Sequence, residues 1–243
     1  MTRIFVNKEA LSSDTVTLSG DDAVHVCSAL RMRQGEKLIL CDGEGSEALC
    51  EIVSSSPGAV VCAVSARQSS VSELPVAVHF YQALPKSDKF EFIIQKLTEL
   101  GACAVTPVLS DRCISRPDGK SLEKKLRRWS DIAREAAQQS GRGVIPLITP
   151  ALSFTDAVAS ASGVRIFCDE DERVVPLSDA VKDKTAKEIS VFIGPEGGWS
   201  ARERQSARAA GLTSVTFGKR ILRCETAPVV ALSALMFATG NLS

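Results

Sequence analysis

The chain holds 243 residues, 44% hydrophobic and 24% charged, with 29 Lys plus Arg against 29 Asp plus Glu. That size suits one large globular domain or two modest ones. The balanced charge argues against nonspecific coating of nucleic acid, while a local basic face stays compatible with an RNA partner. Eight cysteines and two histidines are scattered without a C-x-x-C pair, so a zinc cluster has little support. Most of the cysteines sit in apolar runs, as in Ile39-Leu40-Cys41, and read as small buried hydrophobes in a reducing compartment. No window approaches the length of a membrane span, and the expected location is the cytoplasm.

Residues 1–72 have the rhythm of short strands. Lys37–Cys41 faces Ala48–Val53 across the turn-rich Asp42-Gly43-Glu44-Gly45-Ser46, and Ser54 to Gly58 leads into Ala59–Val64. Strands so closely spaced, with Gly and Pro punctuation, predict a small antiparallel barrel, interrupted by one short helix at Asp21–Leu30. The polar stretch Arg67–Pro75 reads as a linker into a second domain, residues 73–243.

Beyond it, Val76–Leu84 predicts a buried strand. Phe90, Ile93, Ile94, Leu97 and Leu100 then recur at helical spacing, with Asp88 and Glu91 as a capping-box pair and Gly101 as the C-terminal stop. A strand over Ala104–Leu109 precedes a long helix at Ser121–Ser140, whose buried stripe is Leu122, Leu126, Trp129, Ala133 and Ala136. Further strands are expected at Val164–Cys168, Ile189–Ile193 and Ser214–Phe217. Alternating strands and helices predict an α/β domain with a mostly parallel sheet.

Ligands of open α/β sheets bind beyond the carboxyl ends of the strands, which marks three strand ends: the acidic run Asp169–Glu172 after Cys168, and two loops. The first loop is Gly194-Pro195-Glu196-Gly197-Gly198, followed by a capping box of Ser200 and Glu203 and ended by Gly211. It matches neither phosphate-loop pattern, and the Glu196 carboxylate would repel a phosphate. It suits a neutral or cationic ligand held by backbone groups, such as S-adenosylmethionine; a plain Gly-rich turn before a helix is the alternative. The second loop, Gly218 to Glu225, gathers Lys219, Arg220 and Arg223 beside Glu225, with Thr226 as the expected N-cap of an apolar helix over Val229–Thr239. A helix apolar all round must be buried, in the core or against another subunit.

These two loops resemble the RsmE family of 16S rRNA uridine N3-methyltransferases, of the SPOUT class. So do Leu84–Gly101, Asp111–Arg116, Arg134–Arg142 and the N-terminal run His25–Arg31 followed by Gly35. Trp199 departs from the phenylalanine more often found there, and Gly141 slightly loosens another segment. The resemblance implies an N-terminal PUA-like RNA-binding β-barrel over residues 1–72. It also implies a C-terminal SPOUT domain with a deep trefoil knot, a homodimer formed through that domain, and S-adenosylmethionine held in the knot without a metal.

Carried onto this sequence, the implied cofactor contacts are Cys168, Gly194, Pro195, Glu196, Gly197, Gly198, Phe217, Gly218, Ile221, Leu222, Arg223 and Thr226. The implied RNA contacts are Arg3, His25, Arg31, Arg33, Lys37, Lys86 and Arg142; each alone also reads as a surface charge, and His25 as a packing residue. The implied substrate is 16S rRNA within the small ribosomal subunit. Uridine N3 must lose its proton before or during attack. Two routes are open: Glu196 as general base, or stabilisation of the N3 anion by Arg112 and Arg223. Ribose 2′-O methyltransferases of the same class pair a similar loop with an Asn-x-Gly segment that this sequence lacks. A noncatalytic RNA-binding assembly factor is opposed by Gly197, Gly198, Arg223 and Glu225, and a kinase or dehydrogenase by the missing phosphate loops.

Overall fold

The structure is a computed structural model that describes residues 1–181 and 186–240. Its contacts divide the chain into two units, residues 1–73 with 137–145, and residues 74–136 with 146–240. The first break, between residues 73 and 74, lies within the stretch Arg67–Pro75. The return of residues 137–145 to the first unit had no sequence signal.

In the first unit, β1 (Arg3–Phe5), β2 (Thr15–Ser19), β3 (Lys37–Cys41), β4 (Ser46–Ser56) and β5 (Ala59–Ser69) form a sheet ordered β1-β3-β4-β5-β2. All neighbours are antiparallel except β1 and β3, which run parallel. β4 and β5 are longer than their apolar cores suggested, so Arg67, Gln68 and Ser69 belong to a strand and not to the linker. The β4–β5 ladder shifts register at Leu49/Cys50 and at Ile52/Ser54, and such irregularities bend a sheet. β2 alternates as the period-2 rule requires, with Val16 and Leu18 buried between exposed neighbours. They join Leu38, Leu40, Ile52 and Val60 in one core. The expected helix at 21–30 is shorter, α1 (Gly20–Val24) followed by a π-turn over His25–Ala29. Burial pushes the Cys50 and Cys62 thiols up to about 11, and all eight cysteines are free. In the core of this unit Cys50 and Cys62 serve as small apolar groups.

The second unit holds β6 (Ala77–Ala83), α2 (Lys89–Glu99), β7 (Ala104–Leu109), most of α3 (Gly119–Ser140), β8 (Leu147–Ile148), β9 (Leu152–Ser153) and α4 (Phe154–Ser160). β10 (Val164–Cys168), α5 (Leu177–Ala180), β11 (Glu188–Ile193), α6 (Ala201–Ala209), β12 (Thr213–Val215) and α7 (Thr226–Ala238) complete it. The sheet order is β12-β10-β11-β6-β7-β8, with β9 also on β7, and every pair is parallel. A sheet covered on both faces has near-continuous apolar strands, as β11 does from Ile189 to Ile193.

Three local expectations change. The Asp88 side chain makes no cap, since its backbone at φ −88°, ψ 9° is not extended as a cap residue requires, and the Glu91 carboxylate pairs instead with Arg128, whose Nε lies 2.6 Å from Oε1. Leu122 and Leu126 are only partly covered, whereas Trp129, Ala133 and Ala136 are buried. α7 begins at Thr226, so Thr226 is its first helical residue and Glu225 occupies the cap position. Ala231, Leu232 and Leu235 of α7 are buried, but Phe237 is 78% exposed.

At the sheet centre, His79 stacks on Tyr81 and Tyr81 on Phe192, with centroids 4.2 and 4.6 Å apart. His79 Nε2 lies 2.7 Å from Thr106 Oγ1, which lies 2.6 Å from Thr149 Oγ1. Burial holds the imidazole down to about 4, against a weak opposing pull from Glu188. The folded pKa lies below the unfolded value of about 6.5. The unfolded chain therefore takes up a proton that the folded chain refuses, and this part of stability, full above 6.5, is lost as pH falls toward 4. Urea unfolding at pH 7 and pH 5 should show His79→Gln losing about 2 kcal/mol less stability than the parent over that interval. Equal losses would contradict a neutral His79.

Candidate functional site

The site is built from the segments that leave three neighbouring strands. β11 ends at Ile193, and Gly194 opens the turn. The Gly198 amide donates to the Pro195 carbonyl at 2.9 Å, and Gly198 sits at φ +65°, a conformation that favours glycine. A Cβ placed there would stand 1.7 Å from Glu170 Oε1. A side chain there would displace the Glu170 carboxylate and strain the positive φ.

Trp199 explains why a larger ring than phenylalanine is accommodated. Its indole is fully buried, stacks on Phe167 at 4.9 Å, and donates from Nε1 to the Cys168 carbonyl at 3.0 Å. It thereby ties the turn after β11 to the end of β10. Ser200 then starts α6 with the foreseen capping box: its Oγ accepts from the Glu203 amide, and Glu203 Oε2 accepts from the Ser200 amide. Glu203 is itself buried, and its other oxygen accepts from the Asp111 amide at 2.9 Å. The segment after β7 is thus docked onto α6, and from there Arg112 Nη1 donates to the Gly197 carbonyl at 2.8 Å.

The second loop comes after β12. Thr216 Oγ1 accepts from the Gly218 amide at 3.2 Å, and Gly218 takes φ +94°. The Arg223 carbonyl accepts from the Thr226 and Ala227 amides and so leads into α7. The third segment, Asp169-Glu170-Asp171 after β10, is held by Arg204 of α6, at 2.8 Å from Asp169, 2.5 Å from Glu170 and 3.0 Å from Asp171. The three carboxylates lie close together, and the guanidinium pairs with all of them. Asp169 Oδ2 is buried without a partner.

Between these segments lies a cavity of about 460 Å³, a volume typical of small-molecule sites. Of the expected cofactor residues, Cys168, residues 194–198, Phe217, Gly218 and residues 221–223 line it, and Thr226 does not. Arg112 is outside the lining and acts on the turn through Gly197. Lys89, Asp169, Glu170 and Cys224 also line it, although none was expected among the cofactor contacts. The run Asp169–Glu172 at a strand end was the one available signal, and its pairing with Arg204 was not readable.

Lys89 Nζ lies 3.2 Å from Glu196 Oε1 and 3.1 Å from Glu225 Oε2. Burial works against ionisation of Glu196, but hydrogen bonds from its own amide and that of Lys86, and from Lys89 and Cys224, hold its carboxyl below the ordinary range. For Glu225, too, burial is outweighed, here by bonds from Cys224, its own amide and Lys89. Burial and the neighbouring carboxylates push the Cys224 thiol up to about 12, so it stays protonated and donates to Glu225 Oε2 at 3.2 Å. A carboxylate held in its charged form is a weak base. That disfavours Glu196 in proton abstraction.

The expected RNA residues divide. His25, Arg31, Arg33 and Lys37 of the first unit and Lys86 of the second are exposed. Arg3 and Arg142 are not free surface cations. Arg3 pairs with Glu47, their side chains 12% and 1% exposed. Arg142, 4% exposed, pairs with Glu73 at 2.6 Å. The buried Glu47 carboxylate and the buried Arg142 guanidinium each need their partner, so both arginines read as members of structural ion pairs and not as the surface charges expected to meet RNA.

Residues 72–236 match the family described as RNA methyltransferase domain, and residues 18–65 the one described as RNA methyltransferase PUA domain. The ribosomal RNA small subunit methyltransferase E of Bacillus subtilis is 34% identical, covering 100% of this chain and 98% of its own length. The chain belongs to the ribosomal RNA small subunit methyltransferase E family. A Mycobacterium bovis member is 35% identical over 92% of this chain and 87% of its own. A solved small subunit methyltransferase E from Neisseria gonorrhoeae, bound to S-adenosyl methionine, superposes with a TM-score of 0.88 at 31% identity. It covers 98% of this chain and 97% of that one. A Legionella pneumophila methyltransferase in complex with the same cofactor gives 0.87 at 29% identity, over 98% and 97%. This family member is therefore an rRNA methyltransferase with an α/β catalytic domain and an N-terminal PUA-like domain.

If the Trp199 indole clamps the turn to β10, Trp199→Phe should keep the stack but lose about 1 kcal/mol of stability with the hydrogen bond. Urea denaturation would show it; an unchanged midpoint would deny the bond an energetic role.

Proposed function

We propose that the chain transfers the methyl group of S-adenosylmethionine to N3 of a uridine in 16S ribosomal RNA, within the small subunit. The observation that carries this reading is the cavity beside the Gly194–Gly198 turn, where Glu196 pairs with Lys89 and Glu170 with Arg204 while Arg223 also lines it. The residues fit the cofactor. The Gly-rich turn admits a ligand close to backbone amides and carbonyls, and the unpartnered Asp169 Oδ2 can accept from a hydroxyl or amino group. Glu196, Glu170 and Asp169 along the lining favour a neutral or cationic ligand over a phosphate.

When bound, S-adenosylmethionine supplies an electrophilic methyl group on a sulfonium centre. The residues proposed to hold it are Cys168, Gly194–Gly198, Phe217, Gly218 and Ile221–Arg223, with Asp169 added. Glu196 shapes its turn by accepting the Lys86 amide and pairing with Lys89. Removal of the N3 proton is then assisted by cations, and Arg223, exposed on the cavity lining, is placed to stabilise the negative charge that develops on the uracil. Arg112 holds Gly197 and adds its charge nearby. Positioning of an unpaired uridine supplies a further part of the rate enhancement.

His25, Arg31, Arg33 and Lys37 provide exposed groups for RNA on the N-terminal unit, and Lys86 another on the catalytic unit. The reading includes a trefoil-knotted catalytic domain, a homodimer formed through it, and action in the cytoplasm. The exposed Phe237 and Phe92, on α7 and α2, support the dimer. No helix of the described residues is long and apolar enough to cross a membrane.

Arg223→Ala should lower turnover by roughly 10²-fold or more, while calorimetry still finds S-adenosylmethionine bound; near-normal turnover would remove Arg223 from the chemistry. Gly198→Val drives a branched side chain into Glu170 at positive φ. It should lose cofactor binding while circular dichroism stays that of a folded chain. Unchanged calorimetric affinity would refute the proposed pocket.

A further inference from the structure

Lys89 is the first residue of α2, where the helix dipole disfavours a cation. Its ammonium nevertheless sits between two carboxylates that come from separate parts of the sheet. Glu196 belongs to the turn after β11 and Glu225 to the loop before α7, and each has an oxygen within 3.2 Å of Lys89 Nζ. The three side chains are 31%, 29% and 21% exposed, and Lys89, Glu196 and Cys224 line the cavity.

The approach to α2 carries a second sign of constraint. Ser87, a residue with a Cβ, takes φ +56° in the turn before the helix. Such strain persists only where surrounding contacts enforce it. Here the contact is with the same glutamate, since the Lys86 amide donates to Glu196 Oε1 at 3.1 Å. One strained turn therefore delivers an amide and an ammonium to one carboxylate oxygen.

We propose that Lys89 is a positioning residue for methyl transfer: by bridging Glu196 and Glu225 it fixes the two pocket-forming loops against each other. The inference rests on the cofactor-pocket reading above. Without the ammonium, the Glu196 and Glu225 carboxylates, both hydrogen-bonded by the Cys224 thiol, would face one another across the gap, and like charges would splay the loops. Leu222 and Arg223, immediately before Cys224, would move with the second loop.

The test uses the full chain and measures S-adenosylmethionine affinity by calorimetry, methyl transfer to small subunits, and the urea unfolding midpoint. Lys89→Met should weaken cofactor binding roughly tenfold and lower turnover, with the chain still folded. Lys89→Arg should keep most of both. Adding Glu225→Gln to Lys89→Met removes the repulsion and should recover most of the lost affinity, a coupling that a merely structural lysine would not produce. Affinity and turnover of Lys89→Met equal to the parent's would overturn the proposal. So would a double variant whose losses simply add. Failure of the parent itself to bind S-adenosylmethionine would overturn the pocket reading, and this inference with it.

Discussion

The hydrogen bond from the Trp199 indole to the Cys168 carbonyl joins the ends of β10 and β11, and the cavity lies beside that junction. A glycine-rich turn has little conformational preference of its own. Its shape must be imposed by neighbours. Trp199 fixes it from the sheet side, Arg112 holds the Gly197 carbonyl, and the α6 capping box sets its exit. The glycines then perform the opposite function, leaving backbone groups bare where a ligand has to come close.

Electrostatics depends on this arrangement. The carboxylates around the cavity are engaged by Lys89, Arg204 and backbone amides, so they act as anchors that hold loops. Arg223, by contrast, is exposed at the lining. A site with its acids engaged and a guanidinium at its edge suits stabilisation of a developing anion better than abstraction of a proton by a base. Whether Glu196 is base or scaffold was open from sequence. The lowered carboxyl and its amide and ammonium partners favour the scaffold.

Much of this was legible because it is local. The Ser200–Glu203 box, the stop at Gly211 and the strand at Val164–Cys168 depend on residues within a few positions of one another. The features that escaped depend on distant partners. Asp88 and Glu91 have the spacing of a capping box, yet Arg128 takes the Glu91 carboxylate. Arg3 and Arg142 read as surface charges until Glu47 and Glu73 arrive from elsewhere in the chain. Lys89 looked like one more charge in a family segment, because both of its acids lie in loops far along the sequence. The return of residues 137–145 to the first unit is likewise a tertiary event, with Phe5, Cys41 and Ala137 sharing one buried cluster.

Methylation of a base nitrogen from this pocket can be measured directly. The direct measurement supplies methyl-labelled S-adenosylmethionine and small ribosomal subunits lacking the modification, then digests the rRNA to nucleosides. Label is expected in N3-methyluridine at a single 16S position. Label on a ribose 2′-oxygen, or no transfer by a chain that binds the cofactor, would contradict the proposal.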